Sequence, residues 1–297
     1  MKITGMNFLE KNWGMNMNNF EKFFEDLQVN SQLESVSTGD YVGEDGLLYC
    51  GKCHTAKQIK VNLKGTIRKF RCICKCEKEK IDIKEKAIKQ NDAQLRIQHL
   101  KQTGITDQSY LKWTIANDDR KNPRLSDAII RYCDKWNEIK DNNIGILFFG
   151  NVGVGKSFFA ACIANELIER GIPVLMTNVT LLISAMSKKF EEKKDEILNQ
   201  IKNIPLLILD DLGVERDTDF AYEKLQEIID TRYRSGLPLI ITTNLTQKEL
   251  QNPDDSRYKR VYDRILEMCH LILVPGESRR IGKSSVKRKS ATDIIGI

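Results

Sequence analysis

Eight residues near the middle of the chain, Gly150-Asn151-Val152-Gly153-Val154-Gly155-Lys156-Ser157, spell G-x4-G-K-S. They stand where that pattern has structural meaning, after the apolar run Ile144 to Phe149 and before a helical pattern. Glycines let such a loop curl so that backbone N–H groups surround a phosphate at a helix N-terminus, where the peptide dipoles also favour an anion. Gly150 to Gly155 would form the cradle, Lys156 would reach the β- and γ-phosphates, and Ser157 would ligate Mg²⁺. The strand–loop–helix order this demands already points to an α/β fold.

The surrounding sequence extends that expectation. Short Ile/Leu-rich runs at Ile144–Phe149, Pro173–Thr177, Leu206–Asp210, Leu239–Thr243 and Leu271–Val274 alternate with helical patterns. Continuous apolar strands separated by helices predict a parallel five-stranded sheet covered on both faces. The third run ends in Asp210-Asp211, 54 residues after Lys156. Asp210 is expected to hold Mg²⁺ and Asp211 to polarise the attacking water as general base. Asn244 ends the fourth run, where its amide would orient water near the γ-phosphate, although Asn also favours turns.

Cysteines define a second module. Five of the eight lie within 27 residues, as Cys50, Cys53, Cys72, Cys74 and Cys76, a C-x2-C followed by C-x-C-x-C. This is close to the spacing with which two knuckles present thiolates to one tetrahedral Zn²⁺, and five thiols and His54 compete for four places. A closed ligand set implies a structural ion that folds a module too small for its own core. Cys133, Cys162 and Cys269 read as buried thiols in a reducing cytosol. Between Cys50 and Lys101 there are 15 Lys and Arg against 5 Asp and Glu, although the whole chain is only +6. Such a segment attracts phosphate backbones or acidic protein surfaces.

The 297 residues suggest two domains. Residues 1–100 are expected to hold the zinc module and a charged helix from Glu77 to about Leu100, with 101–122 as linker and 123–297 as the α/β domain, whose first helix runs from Pro123 to about Lys140. Phe20, Phe23, Phe24 and Leu27 follow one helical face. Tyr110 and Trp113 are expected to pack at the domain edge, with base stacking as the alternative. No apolar run approaches the roughly 18 residues of a membrane span, and the N-terminus lacks a secretory pattern.

Taken together, GNVGVGKS, LLILDDLG, ITTNL and SRYKRVYDRI resemble an AAA+ ATPase of the DnaC/DnaI-type replicative helicase loaders and their IstB-type relatives, over about Lys121 to Lys283. The resemblance implies Walker A at Gly150 to Ser157, Walker B at Asp210 and Asp211, and sensor 1 at Asn244. It implies an arginine finger at Arg264, with Arg257 and Arg260 as competitors, and sensor 2 at Arg280, with Arg279 as a one-residue alternative. Asp211 stands where many AAA+ proteins carry Glu. Only 22 residues follow Pro275, too few for a full C-terminal lid.

By this resemblance the cofactors are ATP, Mg²⁺ and Zn²⁺. The partners are a replicative helicase hexamer, single-stranded DNA and further copies of the chain, in the cytoplasm and without a membrane. The expected function is ATP-dependent loading of a DnaB-type helicase, with binding and hydrolysis as the switch. One alternative is an IstB-type ATPase that binds DNA and activates a transposase. Another is a zinc-dependent DNA-binding regulator that uses nucleotide only for stability.

Overall fold

The computed structural model of the chain describes residues 39–63, 65–187, 191–214, 218–279 and 295. The amphipathic pattern at Phe20 to Leu27 and the basic tail beyond Arg279 lie outside them. The chain divides after Asn91 into two compact units.

In the first unit, β1 (Tyr41–Val42) and β2 (Leu48–Tyr49) form one antiparallel hairpin, and β3 (Gln58–Leu63) and β4 (Thr66–Arg71) a second. With so few residues, neither hairpin encloses an apolar core; Ile59 and Ile67 are exposed. A single long helix, α1 (Lys75–Gly104), follows and continues past the division into the second unit. It outruns the predicted Glu77–Leu100 at both ends. It stops at Gly104, where a Cβ would lie 2.3 Å from the carbonyl oxygen of Val174.

The second unit is the predicted α/β domain. Its helices are α2 (Pro123–Asp134), α3 (Trp136–Asp141), α4 (Lys156–Glu169), α5 (Val179–Ala185), α6 (Glu191–Asn203), α7 (Asp219–Ser235), α8 (Gln247–Gln251) and α9 (Ser256–Met268). Strands β5 (Gly145–Phe149), β6 (Val174–Asn178), β7 (Leu206–Leu212), β8 (Leu239–Thr243) and β9 (Cys269–Leu273) pair in the order β6-β7-β8-β5-β9, every pair parallel. Alternation along each strand divides the apolar residues between two cores. Ile146, Phe148, Met176 and Ile208 face one, while Leu147, Leu175, Leu207 and Ile241 face the other. The single helix predicted from Pro123 to Lys140 breaks at Lys135, after which Trp136 is buried in the first core.

Residues 101–122 are not a linker. Ile105 bridges Met176 in parallel, and two 3₁₀ turns, Gln108–Lys112 and Ile115–Asn117, then pack on the first core through Tyr110, Leu111, Trp113 and Ile115. Apolar side chains every few residues give the stretch a face to bury.

Carbonyls just before β7 and β8 are held by Arg232 of α7, which is 0% exposed. It donates to Ile201 O (2.9 Å), Ile204 O (2.7 Å), Pro205 O (3.1 Å) and Pro238 O (2.5 Å). Burial pulls its pKa down to about 9, so it stays charged at neutral pH. Four oriented carbonyls take the place of water around the cation.

Candidate functional site

The cysteine site is built by two short turns. Cys50 closes the first, with its N–H on Thr55 O and its O accepting from the His54 N–H, both at 2.9 Å. Gly51 is required there because a Cβ would collide with Gly39 O at 1.9 Å. Cys74 and Cys76 enter from the start of α1. The sulfur atoms of Cys50, Cys53, Cys74 and Cys76 all lie within 4.8 Å of one another, with Cys50–Cys76 at 3.5 Å and Cys74–Cys76 at 3.4 Å. Thiolates about 2.3 Å from a tetrahedral zinc stand roughly 3.8 Å apart, so the spacing fits such an ion. Hydrogen bonding divides the four: the Thr55 hydroxyl pulls Cys53 to about 5 and N–H groups of Cys53 and Lys52 lower Cys50, while the Cys74 and Cys50 sulfurs push Cys76 up to about 12.

Cys72 does not join the four. Its N–H still follows the hairpin, donating to Lys57 O at 2.7 Å, and its thiol turns to Ala56 O at 3.2 Å. His54 is also taken elsewhere, with Nδ1 3.2 Å from the Tyr41 hydroxyl. Cys72→Ser should therefore keep the full zinc content of the purified protein, whereas Cys74→Ser should lose it, as metal analysis would read. Equal loss from both would mean that a different set of four binds.

The second unit carries the candidate nucleotide site at the carboxyl ends of its central strands. Gly150, Gly153 and Gly155 have φ of 138°, 80° and 110°. Close approach explains two of them: a Cβ at Gly150 would sit 2.7 Å from Val274 O, and one at Gly153 would sit 2.2 Å from Ser278 Oγ. Lys156, 5% exposed, donates to Gly150 O (2.9 Å), Asn151 O (2.8 Å) and Asn244 Oδ1 (2.7 Å). The ammonium thus joins the loop to the end of β8, bringing together two predicted site residues 88 positions apart.

Asp210 is 1% exposed, with Oδ1 accepting from Thr242 Oγ1 at 2.5 Å and Oδ2 from the Tyr110 hydroxyl at 2.9 Å. Asp211 lies within a slip in the β7–β8 register, between Leu209 and Leu212, and its φ is 59°. Its N–H donates to Thr242 Oγ1 at 3.0 Å. Left-handed backbone is more accessible to Asp and Asn than to longer side chains, a physical reason for Asp here in place of Glu.

A cleft of about 1530 Å³ opens over these groups. Lys156, Ser157, Asp211 and Asn244 line it together with Trp113, Phe158 and Arg279. Arg279 N donates to Gly153 O at 2.9 Å, and its guanidinium pairs with Asp119 at 3.2 Å. Of the two sensor 2 candidates, Arg279 is therefore in the cleft, while Arg280 lies outside the described residues. Arg264 is elsewhere: it is paired with Asp230 and sits over the Tyr233 ring at 5.4 Å. Arg257 is paired with Asp219 and Asp255, and Arg260 is exposed. Sequence reasoning missed Thr242 and Asp119, whose roles depend on strand pairing and on a loop distant in sequence.

The family profile described as "IstB-like ATP binding protein" matches residues 79–287, well over half of the chain. The chain belongs to that family of ATP-binding proteins. Among relatives, the replicative helicase loader DnaC of Escherichia coli (strain K12) is 33% identical over 116 residues, 38% of this chain and 47% of that protein. The loader DnaI of Bacillus subtilis (strain 168) is 27% identical over 203 residues, 64% of this chain and 65% of that one. The chain thus spans about half the length of the first relative it matches. A crystal structure of DnaI superposes with a TM-score of 0.50 at 25% identity, covering 61% of this chain and 98% of that one. Among the described residues, no helix is long and apolar enough to cross a membrane.

The donor set suits the expected ligands. Ser157 and Asp210 offer the hard oxygen atoms that Mg²⁺ prefers, and the glycine loop at the start of α4 offers N–H groups for phosphates.

Proposed function

We propose that this chain loads a replicative helicase onto single-stranded DNA, with ATP binding and hydrolysis as the switch. The observation that carries the reading is the joining of Lys156 to Asn244 in a cleft that Asp211 also lines, in a family whose relatives include named loaders. In this reading Lys156 moves from its loop carbonyls to the β- and γ-phosphates. Ser157 and Asp210 would hold Mg²⁺, which when bound would supply positive charge against the phosphates. Asp211 accepts a proton from the attacking water while Asn244 orients that water, and Arg279 contacts the phosphates as the sensor 2 residue.

Arg264 serves a neighbouring copy as the finger, and for that it has to exchange Asp230 for the neighbour's γ-phosphate. Hydrolysis then depends on self-association. The cysteine cluster holds Zn²⁺ and shapes the module that grips the helicase hexamer, in the cytoplasm. Residues 1–100 act as that module and the remainder as the switch.

Native mass spectrometry of the chain mixed with the helicase of its host, with ATP and with ADP, tests the reading. A complex of the helicase hexamer and several copies of this chain that changes with the nucleotide is expected. The name of the matched family favours one other reading, a transposition-helper ATPase. Assembly on DNA with ATP and no helicase complex under either condition would replace the loader reading with that one.

A further inference from the structure

The segment from Ile105 to Asn117 is fixed at several points. Thr106 N donates to Met176 O at 3.0 Å. Asn165 of α4, itself buried, donates its amide to Tyr110 O and Trp113 O, both at 2.9 Å, and to Ala161 O at 3.0 Å. Tyr110 stacks on Trp113 with ring centroids 4.3 Å apart, and Trp113 tilts against Phe158 at 6.2 Å. The helix that begins in the phosphate loop therefore holds the backbone of this segment by one side chain.

What the segment presents inward is the Tyr110 hydroxyl. A tyrosine needed only for packing can place its hydroxyl on a backbone carbonyl, as Tyr132 does on Ile144 O at 2.9 Å. Tyr110 places it on Asp210, whose other oxygen is already held by Thr242. A donor on each oxygen fixes the rotation of a carboxylate, while each oxygen keeps a further lone pair for a metal or its water. The ring that donates to Asp210 is stacked on Trp113, in a backbone that follows directly on α1.

We propose that Tyr110 is a positioning residue: its hydroxyl sets the Asp210 carboxylate for magnesium and passes the occupancy of that site to residues 105–117. This rests on the reading of Asp210 as the magnesium-side carboxylate. It requires no contact of Tyr110 with nucleotide.

Tyr110→Phe removes one hydroxyl and keeps the ring. Two readouts without turnover test it: binding of a fluorescent ATP analogue against Mg²⁺ concentration, and hydrogen exchange of the Tyr110, Trp113 and Asn117 amides, each bonded within its turn. In the wild type, Mg²⁺ added to the nucleotide-bound protein should change exchange at these amides. In Tyr110→Phe the Mg²⁺ needed for half-saturation should rise about tenfold, the low end for a hydrogen bond to a charged group. The exchange response should vanish, and binding without Mg²⁺ should stay unchanged.

An unaltered Mg²⁺ dependence, or an unaltered exchange response, would overturn the proposal. Equal weakening of Mg²⁺-free binding would also overturn it, because the hydroxyl would then merely hold the fold. Asp210→Asn separates the two levels. If it leaves the Mg²⁺ dependence intact, the reading of the site falls; if it abolishes that dependence while Tyr110→Phe does not alter it, only the role of Tyr110 falls.

Discussion

Lys156→Ala should weaken ATP binding by about 10²- to 10⁴-fold, the equivalent of two hydrogen bonds to charged groups at roughly 1.5–3 kcal/mol each. The side chain is 5% exposed and already aligned by Gly150 O, Asn151 O and Asn244 Oδ1, so little ordering opposes its transfer to a phosphate. Alanine removes that charge from a loop that otherwise offers only backbone dipoles. Zinc content should not change, because the four cysteines are held by hydrogen bonds within residues 39–76. Titration calorimetry with ATP and metal analysis of the same sample would check both halves. Joint loss of nucleotide and zinc would mean that the two units do not fold separately.

Asp211→Asn should cut ATP hydrolysis by about 10²- to 10⁴-fold, the usual contribution of a general base, while ATP remains bound. Asparagine keeps the shape and tolerates the left-handed backbone that Asp211 adopts at φ 59°, so thermal stability should hold. Asp211→Glu makes the opposite exchange. It preserves the carboxylate but places a longer side chain at a left-handed position, for which about 1 kcal/mol of stability should be lost. Its turnover should fall as well, since the added methylene moves the carboxylate from the place the bulge gives it. Single-turnover hydrolysis and thermal melts of both variants give the answer. Full turnover by Asp211→Asn would assign the base to another residue.

The candidate nucleotide site is legible in sequence because the chemistry it implies is local. A loop that wraps phosphate needs glycines at fixed offsets, and a buried parallel strand needs a continuous apolar run, so Gly150 to Ser157 and Leu206 to Asp211 announce themselves. Of the two sensor 2 candidates, Arg279 lines the cleft, and Arg280 lies outside the described residues. Spacing narrowed the metal ligands to five thiols and one histidine but went no further. Cys72 is separated from Cys74 by one residue, and only the continued strand pairing turns its thiol to Ala56 O.

Other features gave no sequence signal of the partners they meet. Arg232 looks like any surface arginine on a charged helix until four carbonyls, one from the last turn of α6 and three from the approaches to β7 and β8, converge on it. Tyr110 lies 100 residues from Asp210 and in a stretch that reads as a linker. Arg264 sits in a motif that suggests a free guanidinium, yet Asp230 of α7 claims it.

By itself, the sequence determined the order of strands and helices, the phosphate loop, the paired carboxylates and the presence of a thiol cluster, because each depends on residues near one another along the chain. Tertiary structure decided which thiols converge, where the second unit begins and which groups hold Asp210. Those depend on which distant backbones pair, and a hydrogen bond of 3 Å is set by that pairing rather than by any local pattern.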